Sequence, residues 1–599
     1  MDIFRFYRGD EFEAYEYFGA HITDNGTIFR TYAPNALKVS VIGDFSEWEE
    51  LPMERTEDGR FYELSVPGAD EGMRYKYRIY GKDGTFIDHC DPYGFGMELR
   101  PGTCSVIRRL DKYTFTDKKW LDERTDFRDK PMNIYEVHLG SWRKKDNDDE
   151  TGWYNYAEIA DMLIGYAVEF GYNFIELMPL SEHPCDESWG YQSTGFFAPT
   201  SRYGTPEQLM EFVDKCHSRG IGIIVDFVPV HFAVDHYALT EYDGTKLYEY
   251  PSDDIGYNEW GSRNFNNSLG EVQSFIQSAA DYWLSVYHFD GLRMDAIRNM
   301  IYWNGDEGRG ENQKAISFLK SMNSGLKARH PSAIIAAEDS SSYPKVTAPV
   351  FDGGLGFDYK WDLGWMHDTL EYFQSEPMYR TRDYHKLTFS MLYFYNEKFI
   401  LPLSHDEVVH GKATIAQKMN GQYPDKFPQA RALYMYMIAH SGKKLNFMGN
   451  EFAQLREWDE KREQDWDMLK YPLHDSFREY IKALNRIYLD HTALHYDFDP
   501  TNFEWSDCNS AIRCIYAIRR KSADGDILAV MNFSDWYQAD YTVEIGKDYE
   551  AELLIDSDDE LYSGRTPHGR TDFICREGRI DMNITPFSGR MFLLRKKGI

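Results

Sequence analysis

The run FILPLSHDE, ending at Glu407, closes an apolar stretch with His405, Asp406 and Glu407. GLRMDA ends alike, with Arg293 and Asp295, and AIIAAED does so with Glu338. Read as short buried strands, these three predict one mouth lined with acid groups. Such a mouth suits chemistry on a glycosidic bond, where one carboxylate attacks and another handles protons. Asp226 lies near the end of a further apolar run, GIIVDFVP. Pro229 then interrupts strand pairing, and His231 follows. Arg293 and Asp295 are two residues apart, so they share one face of a strand, and the arginine would keep Asp295 ionised and oriented as a nucleophile. Glu338 follows the apolar IIAA, a partly dry setting that suits an acid/base carboxyl. Asp406 and His405 would bind sugar hydroxyls most tightly in the transition state. Taken singly, Arg293–Asp295 also reads as a structural ion pair and Glu338 as a charge at a helix entry. Their shared placement at strand ends favours the catalytic reading.

Eight candidate strands can carry these groups: NIYEVHLG, FIELMPL, GIIVDFVP, GLRMDA, AIIAAED, DYKWDL, FILPLSH and KLNFMGNEF. Helical patterns separate several of them. In TPEQLMEFVDKCHSRG, Leu209, Phe212, Val213 and Cys216 follow helical spacing. Thr205 is the expected N-cap, Pro206 the first helical residue, Gln208 the capping-box partner and Gly220 the stop. Phe477, Ile481, Leu484 and Tyr488 form another stripe. The alternation predicts a central (β/α)8 TIM barrel over residues 113–495, with active groups at the C-terminal ends of its strands.

Flanking regions read differently. Over residues 18–112, TIFRTYAP, LKVSVIG, RFYELSV and MRYKYRIY are short, aromatic and β-branched, and predict a β-sandwich in which Tyr75, Tyr77 and Ile79 share a face. Residues 496–599 return to β patterning in CIYAIRR, ILAVMNF, EAELLID and RMFLLRK, which predicts a C-terminal all-β sandwich domain. Residues 1–17 form a short charged extension without an apolar signal core, and no second leading module is expected. The whole is a multidomain α/β chain.

With 599 residues, two or three domains are expected. The net charge of −32 argues against nucleic acid or an anionic membrane as partner, since both demand a basic face. No run approaches about 18 apolar residues, so no membrane span is expected. Seven scattered cysteines, with no C-x-x-C pair, predict a reduced cytoplasmic protein without disulfides or a zinc site. No glycine-rich phosphate loop follows a strand, GDEGRG lacks the Walker lysine, and no metal spacing is evident, so neither cofactor nor metal is expected. Among the aromatics, Tyr191 is the best sugar platform; Trp48 and Trp458 read at least as well as core, and His138 reads as structural.

The segments DFVPVHF, DGLRMDAI, AAEDSS, LPLSHDEVVHGK, WGYQSTGFFAPTSRYG and GNEFAQLREW together resemble the glycogen (1,4-α-glucan) branching enzymes of the α-amylase clan, glycoside hydrolase family thirteen. DGGLGFDYKWDLGWMHDTL is especially similar to branching enzymes, and VIGDFSEW to the glycogen-binding-type module that precedes their barrel. The resemblance implies Asp295 as nucleophile, Glu338 as acid/base and Asp406 as transition-state stabiliser. Tyr191, Asp226, His231, Arg293 and His405 would hold the sugar beside the cleaved bond. It also implies α-1,4-glucan (glycogen, amylose or amylopectin) as donor and acceptor. The chain departs from the family pattern at Val230, Asp339, Tyr343 and Arg298, and in a short RNMIYWNGDEGRGENQ loop; these touch the expected acceptor site, not the catalytic groups. Two other readings stand beside branching: an α-glucan hydrolase of debranching or amylase type, and a non-catalytic glucan-binding protein.

Overall fold

A computed structural model describes residues 1–570 and 572–597. Eight parallel strands join in chain order into a closed barrel. They are β1 (Asn133–Val137), β2 (Phe174–Leu177), β3 (Gly222–Phe227), β4 (Gly291–Met294), β5 (Ile334–Ala337), β6 (Tyr359–Trp361), β7 (Phe399–Leu403) and β8 (Lys443–Phe447). Every residue of each strand is buried, as parallel strands covered on both faces require. The strands stop where the acids begin: β4 before Asp295, β5 before Glu338, β7 before His405. The first strand is shorter than NIYEVHLG suggests, because Leu139–Trp142 turns into a one-turn helix.

Seven long helices follow seven of the strands: α1 (Tyr156–Glu169), α2 (Pro206–Ser218), α3 (Gly270–Ser285), α4 (Gln313–Arg329), α5 (Leu363–Gln374), α6 (Tyr423–Ala439) and α7 (Pro472–Asp490). No long helix follows β5. Pro344, Pro349, Gly353, Gly354 and Gly356 interrupt that connection, which forms only the 3₁₀ turn Val350–Asp352. Capping at α2 follows the sequence expectation: Thr205 and Gln208 form the capping box, and Leu209, Phe212, Val213 and Cys216 are buried. None of the described helices is long and apolar enough to cross a membrane.

The chain divides into two compact units. The first comprises Met1–Arg124, His138–Ile164 and Glu176–Asp358, and so contains β3, β4 and β5. Its N-terminal part has one four-stranded and one five-stranded antiparallel sheet. There Tyr75, Tyr77 and Ile79 are buried on one face. The Tyr75 and Tyr77 hydroxyls donate to Asp91 at 2.8 and 3.1 Å. Burial pushes the Asp91 carboxyl up to about 6, against those donors. The second unit comprises Thr125–Val137, Gly165–Ile175 and Tyr359–Ile599, with β1, β6, β7 and β8. Its C-terminal part packs a five-stranded sheet on a three-stranded one. Ile515, Leu528, Val530 and Phe592 from one sheet meet Val543, Ile580 and Met582 from the other.

Candidate active site

Strand register sets the acids of the first unit side by side. Asp226 on β3 pairs with Arg293 on β4, which pairs with Ala336 on β5. The Arg293 guanidinium therefore points along a row of strand ends. Its Nη1 donates to both oxygens of Asp226, at 2.9 and 2.8 Å, and to Asp295 Oδ1 at 2.7 Å. Tyr191 donates its hydroxyl to Asp226 Oδ2 at 2.6 Å. Burial pushes the Asp226 carboxyl upward and the Asp295 charge adds to it, while Arg293 and Tyr191 pull it down. Arg293 and Asp226 are each about 1% exposed, but Asp295 keeps 15% of its side chain open. The arginine is spent on holding; the second carboxylate is left reachable.

Glu338 is held from the other side. The peptide after Asp295 turns through Ala296 in the left-handed region, φ +50°. A residue with a Cβ pays about 1–2 kcal/mol for that conformation. The turn aims the Ala296 N–H at Glu338 Oε2, 2.7 Å away. The backbone amides of Asp295 and Glu338 still continue the barrel ladder, to Phe227 O and Met294 O. The two carboxyls thus stand on adjacent strand ends with their backbones fixed.

His231 lies on a two-residue ladder, His231–Phe232 against Arg263–Asn264. Burial pushes its imidazole down to about 4, although the Asp295 charge opposes this, so it is neutral at pH 7. Tyr191 follows a sharp turn at Gly190, φ +93°, where a Cβ would lie 2.6 Å from Pro179 O; only glycine allows that approach.

In the second unit, His405 and Asp406 open the 3₁₀ turn His405–Val408 directly after β7. His405 is 2% exposed, and Asp406 presents 52% of its side chain to solvent. Sequence reasoning missed Glu136, on β1. Its carboxylate accepts the His405 backbone N–H at 3.0 Å and Nδ1 at 2.5 Å. A carboxylate accepts only, so Nδ1 carries the hydrogen and Nε2 turns toward Asp406, 3.6 Å away. A charged residue inside the apolar run NIYEV was the available signal.

The remaining candidates fall elsewhere. Trp458 is buried against Phe447 and His405, and Trp48 carries the Arg74 guanidinium 5.8 Å above its ring. His138 lies 2.8 Å from Ser141 Oγ, in a local turn. Val230 is buried and its carbonyl accepts from Phe265; Asp339 is buried and caps the Ser341 amide. Among the described residues, no group of three or more His, Cys, Asp or Glu side chains is placed to hold a metal ion.

Three stretches match family models: residues 17–94 carbohydrate-binding module 48 (isoamylase N-terminal domain), residues 144–260 the α-amylase catalytic domain, and residues 505–594 the α-amylase C-terminal all-β domain. The 1,4-alpha-glucan branching enzyme GlgB of Fusobacterium nucleatum subsp. nucleatum is 45% identical over 94% of this chain and 92% of its own length. Those of Bacillus caldolyticus and Geobacillus stearothermophilus are 42% and 40% identical, over 98% and 100% of this chain and 90% and 96% of theirs. Among solved structures, pullulanase from Anoxybacillus sp. LM18-11, complexed with maltotetraose, superposes with a TM-score of 0.74 at 16% identity, over 99% of this chain and 89% of that one. Pullulanase from Bacillus acidopullulyticus gives 0.72 at 16% identity, over 96% and 74%. These two share the fold.

Proposed function

Since the chain belongs to the 1,4-alpha-glucan branching enzyme family, we propose that it cleaves an α-1,4-glucosidic bond with retention and passes the freed chain to a 6-hydroxyl, forming an α-1,6 branch. Donor and acceptor are α-1,4-glucans such as glycogen, amylose or amylopectin. The observation that carries the reading is the single Arg293 nitrogen shared by buried Asp226 and open Asp295, with Glu338 pinned one strand away by the Ala296 amide.

Asp295 attacks C1 of the sugar while Glu338 gives its proton to the leaving glycosidic oxygen; the C1–O bond breaks and a glycosyl ester forms on Asp295. The acceptor's 6-hydroxyl then loses its proton to Glu338 and attacks C1, releasing the Asp295 carboxylate. Arg293 donates to Asp295 Oδ1 at 2.7 Å, which orients the carboxylate for the first step and stabilises it as the leaving group in the second. Asp226, Tyr191 and neutral His231 hold sugar hydroxyls, and Asp406 and His405 do so most strongly as the ring flattens toward an oxocarbenium ion. The exchange needs two carboxylates and a sugar acceptor, so no cofactor takes part. Seven free thiols fit a reducing, cytoplasmic setting.

Water at about 55 M competes for the same ester, but a bound acceptor reaches effective molarities of roughly 10⁵ M or more. The test is product analysis on amylose from the earliest time points. New α-1,6 linkages should outnumber new reducing ends several-fold. Dominant reducing ends would make the protein a hydrolase, and no change in the glucan would leave it a binder.

A further inference from the structure

We propose that Trp260 is a stacking platform for a glucan residue adjoining the one held at the reacting bond, and so sets affinity for polymer without touching the chemistry. This rests on the glucan-transfer reading above.

Trp260 is 44% exposed, unusual for so large an apolar ring on a well-tied turn. Its turn is closed by the Tyr257–Arg263 bridge and runs straight into Arg263–Asn264, the strand that pairs with His231–Phe232. Asn258 accepts both the Trp260 and Ser262 amides on Oδ1, at 3.1 and 3.0 Å. Its amide donates to Asn264 Oδ1 at 3.1 Å, and Asn264 in turn donates to Asn304 Oδ1 at 2.8 Å. Gly261, φ +76°, closes the turn. The backbone is thus fixed, yet the ring is not packed away.

The ring also has a defined address. Its centroid is 5.3 Å from that of His231, at 39°, and the Asp295 charge is felt at His231. The Trp260 carbonyl accepts from Gln192 Nε2 at 3.2 Å, next in sequence to Tyr191, which contacts Asp226. Two ties therefore join the Trp260 turn to the acid cluster, one through His231 and one through Gln192, the neighbour of Tyr191. Pyranose rings present apolar C–H faces that pack on aromatic faces while their hydroxyls stay wet. A ring exposed one side chain beyond His231 meets the next sugar of a chain, not the one being cleaved.

The experiment compares two substrates. Amylose needs neighbouring sugars held; α-glucosyl fluoride places one sugar at the acids and carries its own good leaving group. Trp260→Ala should raise the KM for amylose about tenfold, equivalent to ~1.4 kcal/mol, while fluoride release keeps its wild-type kcat/KM. Trp260→Phe should restore most of the amylose KM. Trp260→Leu fills similar space without a ring face and should behave as the alanine variant; it decides the matter if alanine fails to fold. Equal losses on both substrates would make Trp260 a prop for His231, and an unchanged amylose KM would remove it from binding; either overturns the proposal. Wild-type protein inert on amylose would instead overturn the glucan reading.

Discussion

Two buried clusters in this molecule hold a carboxylate against a cation, and they do opposite things with it. In the first unit, Arg293 is shared between Asp226 and Asp295, and one of the two acids stays partly open. In the second, Asp497 lies between Lys443, at 2.9 Å, and Arg520, at 3.0 Å, with all three side chains 0% exposed. Asp497 also accepts the Gly442 amide, and the Lys443 ammonium donates to the carbonyls of Arg128 and Lys130. The first cluster sits at the C-terminal ends of strands; the second begins β8. Burial costs each charge several kcal/mol, and only full pairing offsets it. Where pairing is complete the cluster is structural. Where one acid is left under-committed, its charge is available to a substrate.

Removing the open acid should separate the two roles most sharply. Asp295→Asn should lower glucan turnover by about a thousandfold or more, because an amide cannot form a stable glycosyl ester, while the thermal midpoint stays within a degree or two. A folded variant with near-normal turnover would remove Asp295 from the nucleophile's place. Asp497→Asn should do the reverse, stranding Lys443 and Arg520 and costing about 3–5 kcal/mol of stability. Denaturant titration measures that loss, and the specific activity of the surviving folded protein should be near normal.

Acid should read out the same cluster. Burial pushes Asp497 up, but Lys443 and Arg520 outweigh it and hold its carboxyl at about 2. A depressed folded-state pKa means stability present above the unfolded value of about 4 and lost as pH falls through 2, about 2–3 kcal/mol in all. Denaturant midpoints for wild type and Asp497→Asn should therefore converge between pH 4 and 2.5; parallel curves would show that Asp497 is not the titrating group. A smaller change is expected at Glu136→Gln, which keeps the shape of the side chain but weakens its hold on His405 Nδ1. Loss of a charged hydrogen bond of about 1.5–3 kcal/mol predicts a kcat/KM lowered roughly 10- to 100-fold, with an altered pH profile and an unchanged melting temperature. An unaltered profile would make Glu136 a packing residue.

Local pattern reached far into this protein. Apolar runs of strand length ending in acids located Asp295, Glu338 and Asp406, because an eight-stranded parallel barrel buries its strands whole and exposes only their ends. The capping box at Thr205 and Gln208 and the stripe from Phe477 to Tyr488 were legible for the same reason: each depends on neighbours within a few residues. Pattern also overran, extending the first strand through His138, where backbone that reads as extended turns into a helix at Leu139.

Contacts between distant residues were out of reach. Glu136 meets His405 across 269 positions, and Asp497 meets Lys443 and Arg520 from both sides of the chain. The left-handed peptide at Ala296 presents its amide to Glu338, 42 positions on. Sequence determined which residues are acidic, which runs are apolar and where strands end, since these follow from composition and period. Which acid is enclosed by cations and which is left open was decided only by tertiary structure, because burial and pairing belong to the packed chain and not to any segment of it.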